Sequence, residues 1–249
     1  MRTSVQAGRP HLPSTTIASR LGSRDWNPVY EELDRQGSAV IERLLTVAEC
    51  RELAALYDVE RLFRSRVIMS RYGFGSGEYK YFAYPLPAVV AELRAALYSP
   101  LADLANRWNI QLRIDAVYPR CHAAFLEQCR ASGQIRPTPL LLRYGEGDFN
   151  CLHQDPYGDR AFPLQVAILL AEPGFDFSGG EFVLTEQRPR MQSRAEVVPL
   201  QQGDAVIFAV HHRPVKGTRG AYRVAMRHGV SRVRSGHRCT LGVIFHDAR

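Results

Sequence analysis

After Pro137 the chain breaks into short β-rich runs separated by turn residues, and this rhythm limits the fold more than any other feature of the sequence. Eight runs stand out, at 138–144, 150–153, 164–170, 181–185, 196–199, 205–210, 222–228 and 239–245. Eight strands suit a jelly roll, whose two facing sheets leave a mouth in which a site can sit. The preceding stretch reads mostly as helix. Trp26, Val29, Tyr30 and Leu33 recur at helical spacing before Gly37, and a short strand over 39–45 follows. Thr46-Val47-Ala48-Glu49 forms a capping box, and Leu93, Leu97, Leu101, Leu104 and Trp108 make one apolar stripe along a helix over 89–108 with a break expected at Pro100. Another helix over 119–132 ends at Gly133. The expected class is α+β, with residues 25–137 as helical support and 138–249 as a C-terminal jelly-roll core.

Residues 1–24 hold Arg2, Arg9, Arg20 and Arg24, several Ser and Thr, and no acidic residue. A disordered basic arm is the expectation there, and the composition also suits an organellar transit peptide. The stretch from Tyr72 to Phe82 mixes glycines with aromatics, as a shaped loop feeding a strand does. Its alternating Gly73, Gly75 and Gly77 lack the Lys-Ser/Thr of a phosphate loop, so the aromatics are expected to pack or to wall a substrate entrance.

The formal charge of +7, mostly arginine, favours acidic ligands, phosphates or nucleic acid. No apolar run reaches the ~18 residues of a membrane span. Five cysteines, odd in number and without a CxxC pair, point to free thiols in a reducing, cytoplasmic setting and away from a structural zinc. Cys151, two residues before His153, reads as a small packed strand residue.

The chemistry concentrates at His153-Gln154-Asp155. Side chains at i and i+2 of a strand share a face, so this imidazole and carboxylate can reach one ion from a strand end. His228 offers a third ligand downstream. Two neutral imidazoles and one carboxylate form the facial set that holds non-haem Fe(II) while leaving positions open.

Around these residues stands an ordered series: Tyr144 and Gly147, then His153 and Asp155, then Gly179-Gly180-Glu181-Phe182, then Gly203-Asp204-Ala205-Val206-Ile207-Phe208, and last His228, Val230, Val233, Gly236 and Arg238. In this order and spacing they resemble the Fe(II)- and 2-oxoglutarate-dependent dioxygenases, within them the prolyl-hydroxylase-like branch on a double-stranded β-helix. The resemblance covers about residues 138–246. It implies His153, Asp155 and His228 as iron ligands, and Arg238 as the cation for the distal carboxylate of 2-oxoglutarate, which a planar guanidinium matches bidentately. It also implies Tyr144 as a hydroxyl donor to the same molecule and ascorbate as a reductant for the iron. The implied reaction converts 2-oxoglutarate and O2 to succinate and CO2 while a substrate carbon is hydroxylated.

Residues 211–220 form an insertion longer than the family carries, and its His211 and His212 compete for the distal-ligand role. His212 lacks an arginine ten positions on, whereas His228 has Arg238, so His228 is preferred. With Arg223 and Arg227 close behind, the insertion reads either as a solvated hairpin or as a lid over an acidic substrate. His246 and Asp247 read as capping or surface residues. A protein or amino-acid side chain leads as substrate. The alternatives are oxidative demethylation of alkylated nucleic acid, suggested by the basic charge, and a jelly-roll binding module with no activity.

Overall fold

The computed structural model describes residues 16–155, 158–218 and 220–249. Along the chain lie α1 (Ile17–Gly22), α2 (Asn27–Gln36), β1 (Ser38–Ile41), α3 (Val47–Ala55), β2 (Phe63–Ile68), β3 (Gly75–Ser76), β4 (Glu78–Phe82), α4 (Ala88–Leu112) and α5 (His122–Ala131). The β-rich part follows as β5 (Leu140–Tyr144), β6 (Phe149–His153), β7 (Leu164–Leu169), β8 (Phe177–Gly179), β9 (Phe182–Gln187) and β10 (Arg194–Val198). It ends with β11 (Ala205–Ala209), β12 (His212–Gly217), β13 (Gly220–Val230), β14 (Val233–Gly236) and β15 (Arg238–Val243).

Two antiparallel sheets face each other. The larger runs β1-β11-β7-β15-β5-β4-β2, and the smaller runs β10-β9-β13-β6-β3 with β12 beside β13. The eight strands expected from alternation are β5, β6, β7, β9, β10, β11, β13 and β15, and they divide four and four between the sheets. That is the jelly roll. Ala167, Leu169, Phe182, Leu184, Phe208 and Val230 pack between the sheets. Val166, Ile168 and Leu241 point the other way, into a core shared with Leu33, Leu97, Leu101 and Trp108 of the helices. The central strands β7 and β11 of the larger sheet are thus buried on both faces, as lying beneath a helical layer requires.

Before residue 138, β1 is the strand expected over 39–45 and β4 the strand fed by the glycine-aromatic stretch, and both extend the larger sheet; β2 on its edge and β3 in the smaller sheet are not expected from the sequence. The helix α4 runs unbroken through Pro100. One intrahelical hydrogen bond is lost there, while Leu97, Leu101 and Leu104 stay fully buried on either side. Thr46 and Glu49 form the capping box. Residues 1–15 of the expected arm lie outside the described residues, but its end is structured: α1 buries Ile17 and Leu21, and Arg20 donates twice to Glu49.

The C-terminal tail corrects the reading of His246 and Asp247. Both are buried. Arg94, on α4, donates to the carbonyls of Ile244, Phe245 and His246 and pairs with Asp247 at 2.8 Å, with side chains 2% and 0% exposed. Removing one partner leaves a buried charge unpaired, so Asp247→Ala is expected to lower stability by about 3–5 kcal/mol in urea unfolding. His246 Nδ1 accepts from the Phe162 backbone, and His122 meets the Phe245 carbonyl. Burial, reinforced by the Arg94 charge, pushes both imidazoles from 6.5 to about 4. The unfolded chain therefore takes up protons on them before the folded chain does. Their contribution is complete above pH ~6.5 and declines as pH falls towards about 4, by roughly 1–2 kcal/mol each between pH 7 and 5. Urea midpoints across that range are expected to fall; a flat profile would contradict the burial of both rings.

Candidate active site

His153 ends β6, and His228 lies directly opposite it on β13. Paired residues on neighbouring strands project to the same side, so both imidazoles enter the space between the sheets with ring centroids 4.2 Å apart. Asp155, two positions past His153, closes the group. Its Oδ1 lies 3.4 Å from His153 Nε2 and its Oδ2 lies 3.4 Å from His228 Nε2. One donor atom from each of the three falls within 4.8 Å of the others.

Local hydrogen bonds set this geometry. His153 Nδ1 meets the Cys151 carbonyl at 2.7 Å, which fixes Nδ1 as the protonated nitrogen and leaves the Nε2 lone pair free for a ligand role. Burial, then the neighbouring His228 charge, lowers the pKa of His153 and favours the neutral ring a metal requires. Burial alone would raise the Asp155 carboxyl. The hydrogen bond from His228 and the charges of both imidazoles outweigh it and hold the carboxyl below its ordinary value. Two imidazoles and an ionised carboxylate fit a divalent ion of the non-haem iron type.

Arg238 and Tyr144 face each other across the β15–β5 register, and both line one cavity of about 340 Å³ with His153, Asp155 and His228. Arg238 is therefore not on the strand after His228's. β14 intervenes and pairs with β8, and Arg238 opens β15 in the opposite sheet. Its guanidinium is 2% exposed and donates to Thr240 Oγ1 at 2.6 Å. Its Nε has no hydrogen-bond partner, and among the described residues no carboxylate lies within ion-pair distance. Burial lowers its pKa, against the opposing effects of Tyr144, Cys239 and Glu181. Burial likewise pushes the Tyr144 hydroxyl up to about 12; that hydroxyl accepts a long 3.4 Å bond from Asn150. Gly180, from the Gly-Gly-Glu run, makes room for the arginine: with φ +62°, a Cβ there would stand 2.9 Å from Arg238 Cδ.

The insertion is a hairpin, as one of the two readings expected, but only its outer face is solvated. Its His212–Gly217 portion is β12, hydrogen-bonded along β13, and Arg213 turns inward to the Asp34 carbonyl on α2 and to buried Glu186. His212 packs on His211 at 3.7 Å between centroids, away from the ligand group, and burial pushes its pKa to about 4. Cys151 is exposed instead of packed, and joins no ligand group. Pro156, which flanks the ligands and is expected from the sequence to shape their turn, lies outside the described residues.

Sequence reading expects Gln154 to shape the turn at the ligands, and it misses Thr240. Gln154, between two proposed ligands, donates to the carbonyls of His211 and Met226 and so ties the ligand loop to the hairpin. Thr240 follows Arg238 by two on the same strand face, a period that could have flagged it. Tyr79, Tyr81 and Phe74, from the glycine-aromatic stretch, line the cavity as the entrance reading anticipated.

A family model for Oxygenase-NA, described as "Oxygenase, catalysing oxidative methylation of damaged DNA", matches residues 77–248. Two uncharacterized proteins of Mycobacterium tuberculosis strains are each 47% identical over 167 residues, spanning 67% of this chain and 72% of their own. Among solved structures, a Pseudomonas putida prolyl-4-hydroxylase aligns with TM-score 0.51 and 16% identity over 93% of this chain and 99% of its own. A Trichoplax adhaerens prolyl hydroxylase in complex with a hypoxia inducible factor peptide fragment aligns with TM-score 0.55 and 15% identity, over 89% and 88%. A 2OG-Fe(II) oxygenase family oxidoreductase from Burkholderia pseudomallei gives 0.54 and 16%, over 91% and 93%. These three likenesses are likenesses of fold.

The convergence of donors leads to a binding test. Calorimetric titration with Fe(II) under anaerobic conditions, or with Co(II) as a spectroscopic stand-in, is expected to give one site in wild type and in His212→Ala. Asp155→Ala and His228→Ala should each lose it. Retention by His228→Ala would remove that residue from the ligand set.

Proposed function

The chain belongs to the Oxygenase-NA family of oxygenases, and on that premise we propose that it is an Fe(II)- and 2-oxoglutarate-dependent dioxygenase. In this reading His153, Asp155 and His228 hold the iron, and Arg238 holds the distal carboxylate of 2-oxoglutarate. The observation that carries it is a buried guanidinium with no carboxylate partner among the described residues, lining the same cavity as the three converging donors. A buried cation left so is costly, and a dicarboxylate ligand supplies the missing anion in the bidentate geometry that arginine favours. Thr240 holds one guanidinium nitrogen and so sets the plane of the fork, while Tyr144 offers its hydroxyl from the paired strand.

When bound, iron and 2-oxoglutarate supply an oxidant made from O2, with succinate and CO2 as co-products. The protein orients the partners and excludes water. Met69, Leu142, Phe182 and Phe208 give the cavity apolar walls around the polar cluster. The five unpaired cysteines support a reducing, cytoplasmic setting.

For the substrate, the family description and the basic charge favour an alkylated nucleobase over the peptide or amino-acid side chain that the sequence ranks first. Hydroxylation of an N-methyl carbon gives a carbinolamine that releases formaldehyde, so oxygenation there removes the methyl group. Tyr72 and Phe74 stack at 5.6 Å with Phe74 in the cavity wall, and flat apolar rings of this kind suit a planar substrate. The peptide reading keeps one supporting observation, the fold shared with a prolyl hydroxylase that binds a peptide fragment.

Succinate formation by Fe(II)-loaded protein after admission of O2, with and without an oligonucleotide carrying N-methylated bases, tests both levels. Wild type is expected to form succinate, and formaldehyde with the methylated oligonucleotide. Arg238→Met should raise KM for 2-oxoglutarate by about 10- to 100-fold, the loss of a charge-assisted bidentate contact. Succinate without formaldehyde would retain the dioxygenase and reject the nucleobase. No binding of Fe(II) or 2-oxoglutarate would leave a jelly-roll binding module.

A further inference from the structure

The register that turns His228 inward turns its neighbours outward. Along β13, Val224, Met226, His228 and Val230 are buried, and Arg223 and Arg227 stand exposed on the opposite face. Pairing fixes what lies beside them. Arg223 is opposite Pro214, Ala221 is opposite Lys216, Ala225 is opposite His212 and Gln187, and Arg227 is opposite Thr185. Val183 of β9 and Ala195 and Val197 of β10 continue this face. Its outward residues on these four strands include two arginines and a lysine and no carboxylate, because Glu186 points inward to Arg213 and Glu196, though exposed at the sheet edge, is in register with inward Leu184.

Only some exposed arginines of the chain are neutralised by a neighbour; others, among them Arg61, Arg71, Arg130 and Arg232, enter no ion pair among the described residues, so what sets these three cations apart is that they share one face. Arg66, Arg107, Arg120 and Arg143 each pair with a carboxylate, respectively Glu78, Asp34, Asp103 and Asp58. Arg223, Arg227 and Lys216 enter no ion pair among the described residues. They form a row instead of a convergent cluster. Arg223 and Arg227, four residues apart on one strand, are separated by roughly 13 Å. A row suits a polymer of repeated negative charge better than a single phosphate group. The face also lacks outward aromatic side chains that would enter a lipid surface.

The row lies on the other face of the sheet from His228 and reaches the cavity at its rim: Gly229, two residues past Arg227, and Leu152, 44% exposed, both line the cavity. The hairpin root is fixed to the ligand loop by the two Gln154 hydrogen bonds, 3.1 Å to His211 and 2.8 Å to Met226. We infer that the outward face of the β12–β13 hairpin is a docking track for the sugar-phosphate backbone of a nucleic acid, holding the strand whose base enters the cavity. This rests on the nucleobase reading above and adds where and by which residues the polymer is held.

Binding of a fluorescein-labelled oligodeoxynucleotide to the full chain, followed by anisotropy over a range of salt, tests it without requiring turnover. The probe set includes the Lys216→Ala/Arg223→Ala/Arg227→Ala triple variant and Arg120→Ala as an exposed arginine elsewhere. Wild type and Arg120→Ala are expected to bind alike, with affinity falling as salt rises. The triple variant should bind at least about tenfold more weakly, its salt slope reduced by about two to three, with its thermal unfolding midpoint unchanged. Equal binding by wild type and the triple variant would overturn this face while leaving the nucleic-acid substrate intact. No oligonucleotide binding by wild type would overturn both, and capture on phosphatidylserine vesicles instead would reassign the face to a membrane. Succinate formation, measured separately, reports on the iron and 2-oxoglutarate reading alone.

Discussion

The pairing of His228 with His153 on one rung of the smaller sheet is the constraint on which the rest of the site depends. Strand side chains alternate, so a one-residue slip of β13 would point Arg227 into the cavity and His228 at solvent. The neighbouring strand reinforces the register, since β9 pairs continuously with β13 from Ala225 to Val230. Gly229 allows the close approach of β6, where a Cβ would stand 2.7 Å from the Asn150 carbonyl. Ligand geometry and outward charge pattern are thus two results of one register.

Among the described residues, three buried arginines show how this fold treats internal charge. Arg94 is matched by Asp247 and Arg213 by Glu186, and each links the helical layer to the β-rich part. Arg238 is the exception, with a hydroxyl and two aromatic rings, Tyr144 and Phe177, for neighbours. Matched charges are structural in this molecule. The unmatched one lies in the cavity with the donors.

Much of this was legible in the sequence. The eight barrel strands declare themselves because a buried strand must be apolar at least on alternate residues, and His153, Asp155, His228 and Arg238 stand at their ends or on their inner faces. β2 did not, because Arg64, Ser65 and Arg66 interrupt it and none of its residues is fully buried. The burial of Asp247 was equally hidden: its partner Arg94 lies 153 residues away, and a carboxylate near the end of a chain ordinarily meets water. The basic insertion misled for a related reason. Arg213 looks like its solvated neighbours until strand pairing turns it inward.

The lone guanidinium of Arg238 has a consequence for folding as well as for catalysis. A desolvated charge without a counter-ion subtracts from the stability of the native state, and a ligand that supplies the counter-ion returns it. On the proposed reading the co-substrate is then a missing piece of the interior, and the population of well-packed molecules follows its concentration. A cell rich in the dicarboxylate would hold more of this protein in the compact form, and starvation for it would expose more of the chain to unfolding and proteolysis.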